Sequence, residues 1–180
     1  MDWLEEVRAR AKRRNKVLFM PGDALFDALS PLTERADRRA LVLWALSLAD
    51  DAVSRLRALL PEETRPMDAV RLARQWSRGE VKMPVAKAAI LACHAVAKEN
   101  VSPEAAALCH AVGQACAVVH ARGHAMGFAV YELTAIARRE GVEKCRAAVE
   151  ARVCEYVSRL LQAEEEAEAH PGPWAKFLRA

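Results

Sequence analysis

SPEAAALCHAVGQACAVVHARGHAMGFAVYELTAIARREG, residues 102–141, decides how the chain folds. Ser102 can cap free backbone amides, Pro103 has a preset φ, and Glu104 suits the positive end of a helix dipole, so a helix starts here. From Ala105 to Ala121 nearly every side chain is small or apolar. A helix apolar all round is enclosed by other helices, which makes this stretch the centre of an α-helical domain. It also carries His110, His120 and His124, three of the five histidines. On an unbroken helix His120 and His124 share one face with Cys116, Gly127 and Tyr131. Gly123, a poor helix former, would break that alignment, and the sequence leaves both arrangements open.

Working outward, 180 residues at 53% hydrophobic suffice for one real core. Alanine is abundant and strand-like alternation is absent, so the expected fold is all-α. It is a single-domain bundle of about six or seven helices around a central alanine-rich helical pair. Residues 1–30 read as a basic helix and linker, 31–170 as the bundle, and 171–180 as a tail. A net charge of +3 permits an acidic partner without requiring one. The five cysteines are odd in number with no CxxC pair, and four sit in apolar helical patterns, which favours reduced core thiols. Asp2, Glu5 and Glu6 interrupt any apolar run in MDWLEEVRAR, and no later run reaches the ~18 apolar residues of a membrane helix. A cytoplasmic protein without membrane contact is the expectation.

Residues 2–14 read as an amphipathic helix with Trp3, Leu4, Val7 and Ala11 on one face. Arg8, Arg10, Lys12, Arg13, Arg14 and Lys16 follow as a basic cluster. Such a cluster can hold phosphates, but no aromatics interleave to stack on bases. It reads as a solvated face, and nucleic acid is not an expected partner. Ser30-Pro31 opens a helix expected to run to about Leu60. A further helix follows Pro66, burying Val70, Ala73 and Trp76. Another starts at Pro84, with Lys87, His94 and Lys98 on one stripe and Val85, Ala89, Ala92 and Val96 on another. Val142, Cys145, Val149, Val153, Tyr156 and Leu160 mark the packing stripe of a last long helix, which frays in EEEAEAHPGP. Trp174, Phe177 and Leu178 either dock the tail or face a partner.

No phosphate loop, GxSxG elbow, dinucleotide fingerprint or HExxH occurs. Asp50-Asp51 are adjacent, so they point about 100° apart on a helix and read as solvated. The strongest constellation is Cys116, His120 and His124. Two histidines four apart can chelate one metal, but His110, Glu132 or His94 would have to complete the site across helices. The preferred reading bonds the imidazoles to polar neighbours, with Tyr131 and Gln114 as candidates. His124 and Tyr131 could also form an acid/base pair, yet no nucleophile or oxyanion site accompanies them. A non-enzymatic chain with no cofactor is expected, the alternative being a histidine-centred metal or small-molecule site at His120 and His124 that could be enzymatic.

LVLWALSLAD (41–50), RPMDAVRLARQWSRGE (65–80), AKAAILACHAVAKE (86–99) and AAALCHAVGQACAVVHARGHAMGFAVYEL (105–133) together resemble the Imm-five-like group of immunity proteins from bacterial toxin systems. The resemblance implies an all-helical protein that binds and neutralises a toxin without catalysis. Its recurring features fall on Trp44, Asp50, Arg65, Pro66, Trp76, His94, His120, His124 and Tyr131. Exposed small-residue faces would also allow two copies to pair.

Overall fold

The computed structural model describes residues 2–169 and 172–179, and among these every regular element is helical. Eight α-helices form one domain: α1 Trp3–Lys12, α2 Ser30–Arg35, α3 Arg38–Leu59, α4 Arg65–Ser77, α5 Met83–Val96, α6 Pro103–Ala117, α7 His124–Glu140 and α8 Arg146–Ala169. The count exceeds the expected six or seven because the helix foreseen from Ser30 to Leu60 is two. Ala36 and Asp37 turn extended, and the Asp37 carboxylate caps the Arg39 amide at 2.8 Å to start α3 afresh. The expected boundary between bundle and tail, like part of the fraying stretch, falls on residues 170–171, outside those described.

α6 is the enclosed element. It packs against α3, α4, α5 and α7, and Ala105, Ala107, Ala111, Gly113 and Ala115 let those backbones approach closely. As the sequence suggested for Ser102, its hydroxyl accepts from the Ala105 amide at 3.1 Å. The rod does not continue to Gly141, however. It ends at Ala117, six residues turn the chain, and α7 returns against α6. The shared helical face of Cys116, His120 and His124 is therefore lost. Cys116 is fully buried, and burial pushes its thiol up to about 12, so it is an inert core group.

α5 also differs from its expected stripe. Ala86, Ile90, Cys93 and Val96 face the core, while Val85 lies outside and Ala89 and Ala92 are only partly covered. With so many apolar residues, periodicity alone cannot choose which face turns inward.

Opposite the α5 side, α3, α7 and α8 meet around Trp44. Its indole N–H donates to the Tyr156 carbonyl at 2.9 Å, and its ring meets Phe128 and Tyr156 edge-on, each at 6.1 Å. Beside it, Arg152 bridges Glu132, Glu155 and Asp51, while the Tyr156 hydroxyl donates to Glu132. In the N-terminal basic cluster, Arg8 pairs with Glu143 and Arg10 with Asp23 and Glu6. Those two arginines brace α1 and its following turn against the body. Among the described residues, no helix is long and apolar enough to cross a membrane.

Candidate functional site

Between α5 and α7 the outer surface of α6 shows the only two polar side chains of its apolar run from Ala105 to Val119, His110 and Gln114. With Gly113 and Ala117 they recur at three- and four-residue steps, so they form one stripe. His94 of α5 lies across this stripe, its Nδ1 2.9 Å from the Nδ1 of His110. One ring must donate and the other accept, which requires that the pair not be doubly protonated. Burial, then the charges of His110, His124 and Lys98, push His94 down to about 4. Burial, Lys16 and Lys98 likewise lower His110. At neutral pH both imidazoles are uncharged.

The seam continues along α7. The Tyr131 ring lies 5.0 Å from His110. At the other end, His124 Nδ1–H donates to Gln114 Oε1 at 2.8 Å, and burial followed by His120 lowers its pKa. The exposed His120, in the turn before α7, lies 5.7 Å from the His124 ring and stacks on Trp76 at 6.1 Å. Trp76 in turn meets Phe177 of the tail at 6.0 Å. The result is a strip of two ring runs, Phe177–Trp76–His120–His124 and Tyr131–His110–His94, joined along α6 by Gln114; Trp76 is buried and the other rings are partly or well exposed.

Of the residues singled out by sequence, Trp76, His94, His120, His124 and Tyr131 come together in this strip. Trp44 does not; it is core. Asp50 pairs with Arg74, and Arg65 ties Glu63 to Glu99, so both serve packing between elements. Pro66 is a buried first-turn residue of α4. His120 and His124 approach one another despite the broken helix. Among the described residues, though, no three His, Cys, Asp or Glu side chains group to hold a metal. Tyr131 packs on His110 while His124 bonds to Gln114, so the two side chains have different partners. Sequence reasoning undervalued His110 and did not see Gly113; two polar residues on an otherwise apolar helix were the available signal.

Gly113 is essential to the strip. A Cβ there would overlap the His94 imidazole, with Cδ2 only 2.8 Å away, and Gly127 makes the same allowance for Gln114. Gly113→Ala should therefore expel the His94 ring and destabilise the fold by about 1–3 kcal/mol. In a His94→Ala background the same substitution should cost far less. Denaturant titration of the two singles and the double measures this coupling, and strictly additive losses would contradict the packing described.

The lowered histidines also set an acid dependence. For a base whose folded pKa is depressed, the unfolded chain binds protons first as pH falls. The stabilisation tied to neutral His94 is complete above its ordinary 6.5 and is lost as pH drops from there through about 4. The carboxylates held low by arginines, such as Asp37 and Glu63, lose theirs only as pH falls below their ordinary values of 3.8 and 4.5. Melting temperature should thus fall between pH 6.5 and 4, and His94→Gln should flatten that slope.

A family model described as Imm-5 like putative immunity protein matches residues 31–159 of this chain, well over half of its length. The chain belongs to this immunity-protein family. The match runs from α2 into α8 and includes every histidine of the strip. No curated protein and no solved structure matches the chain.

Proposed function

We propose that this chain is an immunity protein that binds a cognate bacterial toxin through the histidine–aromatic strip and neutralises it by contact, not by catalysis. Family membership across residues 31–159 carries the reading. The strip adds support: interface centres are enriched in aromatic side chains, and this one places Phe177, Tyr131 and four imidazoles along one surface, with Phe177 resting on the buried Trp76. Among the described residues, His94 and His110 bond to each other, His124 to Gln114 and His120 to the Ala117 carbonyl, none of them to a nucleophile or carboxylate. That arrangement suits recognition better than proton transfer to a substrate.

The test is growth of cells expressing each candidate toxin domain from the source genome, with and without the chain co-expressed. Protection, with a one-to-one complex of the purified partners, is the expected result. Every candidate equally lethal in both cultures refutes the proposal.

A further inference from the structure

α5 carries no acidic residue, and its outward surface is apolar. Val85 and Leu91 are 48% and 57% exposed, with Pro84 and Ala88 also uncovered beside them. An exposed leucine alone means little, but here it lies on a helical stripe with Lys87, His94 and Lys98. Lys82 stands at the start of the helix, and Lys16 reaches the His110 side of the seam closely enough to act on its charge.

These lysines are electrostatically uncommitted. Every ion pair among the described residues uses an arginine, and none uses a lysine. The carboxylates flanking α5 are already engaged, Glu99 by Arg65 at 2.7 Å and Glu80 near Arg78 at 4.0 Å. An apolar centre within a one-signed rim is the usual layout of a docking site, in which the rim sets partner choice and association rate. A second copy of the chain is a poor occupant. A two-fold contact through α5 would set Lys82, Lys87 and Lys98 against their own counterparts.

We infer that the toxin interface extends from the strip, past the His94–His110 pair, over the outer face of α5, and that the toxin surface matching this face is acidic around an apolar centre. The inference rests on the immunity reading and adds to it this second part of the interface and the charge of the partner.

The test titrates the toxin domain against which the chain protects growing cells with four forms of the protein: wild type, Lys87→Glu/Lys98→Glu, Leu91→Asp, and Leu161→Asp as a control on the exposed side of α8. Because the substituted side chains are exposed, melting curves should match wild type. Charge reversal should weaken binding tenfold or more, mainly through slower association, and remove most of its salt dependence. Leu91→Asp should weaken binding at least as much, and the control should not. A toxin held equally by all four forms overturns this inference while leaving the immunity function standing. Wild-type protein that neither binds nor protects overturns both. Sedimentation showing a dimer of the chain alone that Leu91→Asp dissolves overturns the acidic partner and assigns the face to a second copy.

Discussion

Trp44→Ala should lower the unfolding free energy by about 3–5 kcal/mol, enough to consume much of the stability of a domain this size. The indole is fully buried where α3, α7 and α8 meet, and no other described side chain joins those three helices through both packing and a hydrogen bond to backbone. Alanine removes two edge-on aromatic contacts and the N–H donor together, and leaves a cavity that Phe128 and Tyr156, themselves fixed by 5.9 Å ring contact, can only partly fill. Trp44→Phe keeps most of the ring volume but loses the donor, so an intermediate loss of about 1–2 kcal/mol is expected. Urea titrations with unchanged slope and a shifted midpoint would show this, and a midpoint within error of wild type for the alanine variant would contradict the packing.

The second large effect is expected at Glu132, which is 5% exposed. Its two oxygens take hydrogen bonds from Arg152 at 2.9 and 2.8 Å and from the Tyr156 hydroxyl. Burial alone would lower the Arg152 pKa, yet the hydrogen bonds and charge of Glu132 more than reverse this and raise it. Glu132→Leu leaves the guanidinium with only the more exposed Glu155 and Asp51 and the phenol without an acceptor. The loss should be about 3–5 kcal/mol, as for other buried pairs broken on one side. Replacing all three partners, by Glu132→Leu, Arg152→Met and Tyr156→Phe, should recover most of it, because no polar group is then stranded. Denaturant midpoints of the single and triple variants decide the matter. Equal midpoints would mean that the cluster stabilises through shape rather than charge. Trp44 and Glu132 are both buried and bond to α8 rather than to the rings of the strip, so folded fractions of these variants should bind the toxin as wild type does.

These two positions show where sequence reading stops. Trp44 stood out in the sequence as one of the recurring features of the family resemblance, which made it a candidate binding residue. Only its contact with Tyr156, more than a hundred positions away, shows it to be core. Glu132 was considered as a metal ligand because carboxylates are ligands; its arginine and tyrosine partners, which lie on the last helix, give it a structural role instead. His110 was legible as a polar residue on an apolar helix. Its meeting with His94 was not, since that depends on the rotation of α5 about its own axis, and an alanine-rich helix with two apolar faces does not encode that rotation locally.

What the sequence alone determined is the local part: the all-helical class, the capped start of α6, its enclosure by neighbours, and the family resemblance carried by residues 41–133. These follow from capping, propensity and apolar content, which act within a few residues of one another. What only the tertiary structure decided is which histidines touch, which glycines make room for them, and which side of α5 is left uncovered. Those outcomes depend on how helices turn and return against each other, and the break between Ala117 and His124 reset that geometry for the residues beyond it.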